Sequence, residues 1–219
     1  MIVQIYEIQS PGEAVAAAAC GVDHIGVLVG SAAFPREIHP EAARAIFAAC
    51  PSGTVRVALS LSADLVDIER VIAGARPDIL HLGAAPELFP VEAVAALKLR
   101  HPQLQLMRSI PVVDDGAVAM ARGYDGIADF LLLDSHRTGD LQIGALGVTH
   151  DWTISRRIVE AVSVPCILAG GLGPDNVAEA ITVVRPFGID SKTKTDLPDG
   201  SRKDIDAVRR FVVATTRVR

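Results

Sequence analysis

Short apolar runs alternate with segments of helical period along the whole chain. The first run, Ile2–Tyr6, reads as a strand, and the alanine-rich Pro11–Cys20 as a helix. Strands follow at Ile25–Val29, Thr54–Ser60, Pro77–Leu82, Leu104–Ile110, Ala128–Leu133, Cys166–Ala169 and Phe187–Ser191. Helical spacing is expected over Pro40–Cys50, Ala63–Ala73, Val91–Leu99, Gly116–Arg122, Asp151–Val162, Asn176–Val184 and Arg202–Val213. Two longer loops interrupt this rhythm, Gly30–His39 and the stretch after Leu133 through Thr149. Eight strands in strict alternation with eight helices imply parallel strands joined by right-handed crossovers. A chain of 219 residues with that pattern is expected to be one domain over 1–219, a compact (β/α)8 TIM barrel. An open doubly wound sheet is the architectural alternative that periodicity leaves open. In a barrel, the residues to examine are those where strands end and loops begin.

The composition narrows the functional classes. Half the residues are hydrophobic, yet no apolar run reaches the ~18–20 residues of a membrane span. A formal charge of -5 and few aromatic residues argue against a nucleic-acid surface. The first residues show no basic stretch followed by an apolar segment, so no secretory signal is expected. Three widely spaced cysteines, Cys20, Cys50 and Cys166, form neither a disulfide framework nor a CxxC metal site, and fit a reducing cytoplasm. No histidine spacing suggests metal ligands, and no cofactor is implied.

The most informative stretch is Leu168-Ala-Gly-Gly-Leu-Gly-Pro-Asp-Asn-Val177, where a strand enters a glycine turn that opens a helix. Glycines there let a ligand approach the backbone closely, and the unpaired amides of a helix N-terminus attract anions, phosphate above all. Pro174 and Asp175 suit the helix start. Gly170, Gly171 and Leu172 are therefore candidate phosphate contacts. Lys192, Thr193 and Lys194 follow the last strand; the lysines share strand parity with Asp190, so all three of that set are expected to face the mouth.

Together these loop residues resemble the phosphoribosylanthranilate isomerase family. The motifs are Phe130-Leu-Leu-Leu-Asp-Ser135, Gly144-Ala-Leu-Gly-Val-Thr-His-Asp-Trp152, Leu168–Val177, Val184-Arg-Pro-Phe-Gly-Ile-Asp190 and Arg202-Lys-Asp204; the N-terminal half agrees more loosely. The resemblance implies a barrel, a phosphorylated small-molecule substrate, and an Amadori rearrangement of an aldose into an amino-ketose. It implies that Asp134 is the general acid, that Arg36 holds a substrate carboxylate, and that the glycine turn with residues 192–194 cradles phosphate. The family's first strand carries a cysteine as base. This chain has Tyr6 there, Glu7 in place of the next glycine, and Gln4 in place of a basic residue. Tyrosine, with a pKa of about 10, is a poor base near neutrality. Glu7 is a candidate, although alternation turns it away from Tyr6's side unless the strand has already ended. His81, at the end of the fourth strand, is placed to hold a substrate oxygen.

Three functions follow as expectations. The first is a sugar-phosphate isomerase with altered substrate, using Asp134 with Glu7 or Tyr6. The second is a non-catalytic barrel that binds a phosphorylated metabolite. The third is Schiff-base chemistry at one of two neighbouring lysines. A monomer or a homodimer is expected.

Overall fold

The computed structural model describes residues 1–136 and 147–216. Strands β1 (Ile2–Ile5), β2 (His24–Leu28), β3 (Val55–Ser60), β4 (Ile79–Leu82), β5 (Gln105–Pro111), β6 (Phe130–Asp134), β7 (Cys166–Leu168) and β8 (Gly188–Ser191) close into a parallel barrel. Closure is made by β1, which pairs with β2 on one side and β8 on the other. The helices are α1 (Pro11–Ala19), α2 (Pro40–Ala49), α3 (Leu65–Ala75), α4 (Val91–Arg100), α5 (Gly116–Gly123), α6 (Trp152–Ala161), α7 (Val177–Val184) and α8 (Ile205–Thr216). The chain is a (β/α)8 TIM barrel, and the open-sheet alternative is set aside.

Two apolar layers follow from the period-two alternation of strands buried on both faces. Inside the barrel pack Val57, Ile79, Met107, Phe130, Leu132 and Ile167, with Tyr6 and Ala169 above them. Between strands and helices lies a larger shell that includes Ile25, Val27, Leu80, Ile110, Leu133, Ile158 and Phe211.

Side-chain caps moved several boundaries. Helix α3 begins two residues later than its periodicity suggests, because the Asp64 carboxylate accepts from the amides of Val66 and Asp67. Helix α8 begins at Ile205 rather than Arg202, because Asp204 accepts from the amides of Asp206 and Ala207. Arg202 and Lys203 are thereby left in the preceding loop. Strand β1 ends at Ile5, one residue before Tyr6, and β8 ends at Ser191.

One charged group is sealed in the outer shell. Arg108, fully buried, donates to the carbonyls of Leu82 and Ala84, each at 2.7 Å, and lies over the Tyr124 ring. It braces the loop after β4 from behind.

Candidate active site at the C-terminal mouth of the barrel

A cavity of about 260 Å³ opens at the C-terminal ends of the strands, lined on its polar side by Tyr6, Glu7, Arg36, His81, Asp134, Asp190 and Lys192. A smaller cleft of about 30 Å³ adjoins it, formed by Gly147, Gly170, Gly171, Leu172, Ser191, Lys192, Thr193 and Lys194 with Asp134 and Asp190 beneath. Every candidate site residue named from the sequence lines one or both.

The small cleft has the chemistry of an anion cradle. Gly170 and Gly171 have φ of 83° and 61°, the left-handed region that glycine adopts without strain. A Cβ on Gly171 would meet the backbone of Val148 and Thr149 at under 3 Å, so the loops can close here only around glycine. Among the described residues, the amides of Gly170, Gly171 and Leu172 donate to no protein acceptor. The turn is held by Asn176, not Asp175: its amide group accepts from Gly173 N at 2.8 Å and donates to the Gly171 carbonyl. Asp190, Lys192 and Lys194 all line this cleft, though strand parity is not what puts the lysines there. Strand β8 has ended at Ser191, and residues 193–195 form a single 3₁₀ turn. Lys192 lines both cavities, and Lys194 lines the small cleft with its stem over Gly173, where a Cβ would come within 2.8 Å of it. The motif residues Gly144, Ala145 and Leu146 lie outside the described residues.

The carboxyls differ in environment. Burial pushes the Asp134 carboxyl up to about 7, against hydrogen bonds from Ser135 N at 2.7 Å and Ser135 Oγ at 3.3 Å that favour its charged form. Asp190 is raised well above the ordinary carboxylate range by burial and then by Asp134, although Gln4 donates to it at 3.2 Å. The Gln4 side-chain oxygen also accepts from His24 Nδ1 at 3.1 Å, forming a buried polar line across the barrel floor.

Glu7 is the residue whose direction alternation could not settle. Its φ is 60°, so the chain turns left-handed just after β1 and swings the side chain into the mouth. There its carboxylate pairs with Arg36 Nε at 3.1 Å and Lys192 Nζ at 3.3 Å. Arg36 does not point freely into the cavity as expected of a carboxylate clamp. Its other nitrogens donate to the Glu7 carbonyl at 2.6 Å and the Gly200 carbonyl at 2.5 Å, and one lies 3.3 Å from Asp196. Asp196 also pairs with Lys203 at 2.7 Å, and that lysine is wholly enclosed. Neither Asp196 nor Lys203 had been singled out as a site residue; only the Arg202–Asp204 motif pointed near them.

Tyr6 is anchored, not poised. Its hydroxyl lies 2.6 Å from His81 Nδ1, and His81 Nε2 lies 2.7 Å from Ser109 Oγ. Burial, with help from Arg108, pulls His81 down to about 3, so the imidazole is neutral at neutral pH. Burial and then Asp190 hold the Tyr6 phenol well above 10. His81 is thus a partner for Tyr6 before it can be one for substrate. Among the described residues, no group of three or more His, Cys, Asp or Glu is arranged to hold a metal ion.

A closed parallel barrel whose C-terminal mouth gathers a glycine-turn cleft and several carboxyls places the chain among the (β/α)8 barrels that carry their sites at this rim. The family model described as N-(5'phosphoribosyl)anthranilate (PRA) isomerase matches residues 4–214. The chain belongs to that family. It is 37% identical to the N-(5'-phosphoribosyl)anthranilate isomerase of Methanocella arvoryzae over 96% of this chain and 95% of that one. It is 38% identical to that of Haloferax volcanii, over 92% and 86%. The phosphoribosyl anthranilate isomerase structure from Thermus thermophilus superposes with a TM-score of 0.77 at 25% identity, covering both chains fully. The Thermotoga maritima structure does so with a TM-score of 0.80 at 24% identity.

Proposed function

We propose that this chain is an aldose–ketose isomerase of the Amadori type whose base is Glu7 and whose substrate differs from N-(5'-phosphoribosyl)anthranilate. The observation that carries this reading is the left-handed turn at Glu7, which brings a carboxylate into the mouth where Tyr6 occupies the thiol's position. The substrate phosphate sits in the cleft of Gly170, Gly171, Leu172 and Thr193, with Lys192, and Lys194 at the rim, as counter-charges. Asp134, protonated below about pH 7, gives its proton to the ring oxygen as the C–O bond opens to an imine. Glu7 then removes the proton from the second carbon, and the resulting enamine tautomerises to the ketose. Asp190 contacts a substrate hydroxyl, and His81 holds the Tyr6 phenol. Tyr6 remains a phenol hydrogen-bonded to His81 and shapes the floor. No cofactor is needed, since the reaction moves only protons. We further infer one domain, a monomer or homodimer, and a cytoplasmic setting in which Cys20, Cys50 and Cys166 are free thiols.

The test is a turnover assay on N-substituted ribosylamine 5-phosphates. Glu7→Gln and Asp134→Asn should each lower kcat at least ~100-fold on whichever substrate is turned over. Turnover of N-(5'-phosphoribosyl)anthranilate above ~1 s⁻¹ would overturn the altered substrate.

The double engagement of Glu7 by Arg36 and Lys192 favours a second reading, a barrel that binds a phosphorylated metabolite without chemistry. In that case Asp134→Asn leaves the biological role intact. Schiff-base chemistry ranks below both, because Lys192 is flanked by the Glu7 and Asp196 carboxylates and Lys194 is turned over Gly173.

A further inference from the structure

We infer that His150 positions the general acid: its Nδ1–H is held beside Asp134 to receive the carboxylate that forms when the sugar ring opens. This deepens the isomerase reading above and rests on Asp134 being the acid. His150 directly precedes Asp151, the N-cap of α6. Gly170 shows how near the two side chains come. The point a Cβ would occupy on Gly170 lies 2.9 Å from His150 Nδ1, 3.3 Å from Asp134 Oδ1 and 3.2 Å from Ser135 N. Imidazole nitrogen and carboxyl oxygen thus border one spot, kept open by a residue without a side chain. That nitrogen is buried and has no hydrogen-bond partner among the described residues. A buried polar atom without a partner is costly, and here it abuts a group whose charge changes in the reaction.

The far side of the imidazole decides which nitrogen carries the hydrogen. His150 Nε2 lies 2.6 Å from Ser155 Oγ, and Ser155 is fully buried. Among the described residues, that hydroxyl has no other partner. It therefore donates to Nε2, since otherwise its own hydrogen would be stranded. Nδ1 then keeps the one hydrogen of the neutral ring and is a donor. Burial pulls the imidazole down to about 4, against the Asp151 carboxylate, so it stays neutral near pH 7. A donor serves a carboxylate and not a protonated acid. While Asp134 holds its proton, Ser135 N and Oγ serve its Oδ1. Once that proton has passed to the sugar's ring oxygen, a full charge is left in a buried place. A small turn of the carboxylate brings it onto Nδ1–H as a third donor, aimed where charge develops. The proton count closes without His150: Asp134 loses one, the sugar oxygen gains it, and the imidazole is unchanged. The other charged groups bordering Asp134 across the two cavities are Glu7, Arg36, Asp190, Lys192 and Lys194, and Asp151 is the one beside His150.

The experiment titrates the Asp134 carboxyl by carbon-13 NMR in the intact protein, with Asp134→Asn to assign its signal. Three variants separate the two ends of the imidazole. His150→Asn keeps a donor at the δ position and loses the contact with Ser155. His150→Gln does the reverse, and His150→Phe keeps a ring and loses both. His150→Phe and His150→Gln should each raise the Asp134 pKa by at least ~0.5 pH unit, and His150→Asn should stay within ~0.2 of the parent. An unchanged titration in His150→Phe overturns the inference, and so does a downward shift, which would mean that Nδ1 accepts. Parent-like titration in His150→Gln but not His150→Asn also overturns it, and leaves His150 as a strut for α6. None of these titrations needs a substrate. In turnover of N-substituted ribosylamine 5-phosphates, His150→Phe should lower kcat at least ~five-fold with KM within ~two-fold, and His150→Asn should restore it. Parent-like turnover in Asp134→Asn overturns the isomerase reading, and this inference with it, however Asp134 titrates.

Discussion

The Tyr6 ring lies flat across Gly26 of the neighbouring strand, so close that a Cβ on that glycine would fall 2.3 Å from Cδ1 of the ring. The bulk of the Tyr6 ring just after β1 is thus accommodated by an absent side chain on β2. Gly26→Ala should expel the ring or push the strands apart, costing about 1–3 kcal/mol by overpacking. Chemical denaturation measures it, and Tyr6→Ala in the Gly26→Ala background should recover part of the loss through coupling of the two sites.

Removing only the hydroxyl tests a different property. Tyr6→Phe keeps the ring against Gly26 but leaves the buried Nδ1 of His81 without its 2.6 Å partner. The expected loss is about 1–3 kcal/mol, read by urea denaturation. If Tyr6 is a floor residue and not the base, kcat should change less than ten-fold.

Asp134 links activity to stability with opposite signs. Its folded pKa of about 7 stands above the ordinary value, so the protonated form is the stabilising one. That contribution is complete below about pH 4 and is lost as pH rises through about 7. Asp134→Asn should therefore raise stability at pH 8 by about 1–3 kcal/mol relative to the parent while abolishing turnover. Thermal unfolding at pH 5 and pH 8 checks this, since the gain should shrink at the lower pH. In the active parent, kcat should decline above about pH 7 as the acid loses its proton.

Two buried histidines act at the other end of the scale. Burial lowers His24 to about 4 and His81 to about 3, so both fold as neutral rings. Their contribution is complete above about pH 6.5, the unfolded value, and is lost as pH falls toward 3–4. Unfolding free energy measured from pH 7 to pH 4 should fall steadily, and His24→Gln should flatten that slope.

Lys203 supports the turn after β8 from behind. It pairs with Asp196 and donates to the Lys192 carbonyl at 3.0 Å, fixing the turn that carries Lys192. Lys203→Met should leave Asp196 with Arg36 and Lys192 only, and cost about 3–5 kcal/mol. Affinity for inorganic phosphate should fall with it, whereas Lys192→Met should weaken phosphate with a much smaller loss of stability.

The barrel was legible because its signals are local. Strict alternation of apolar runs with helical spacing admits few architectures, and the Gly170–Gly171 turn advertises its left-handed backbone through residue type alone. Asp134 could be named because the strand-end motif Phe130–Ser135 resembles the family's. The site's charge pairing was not legible in that way. Glu7 faces the mouth only because a non-glycine residue holds a φ of 60° there, and residue type does not announce it. Arg36 is occupied by groups near residues 7, 196 and 200, and Tyr6 depends on Gly26, His81 and, through it, Ser109. Local periodicity and turn chemistry decide which elements form and in what order, and the sequence by itself determined those. Which charges neutralise one another, and which remain for a ligand, is decided by barrel closure, which brings β1 against β8 across nearly the whole length of the chain.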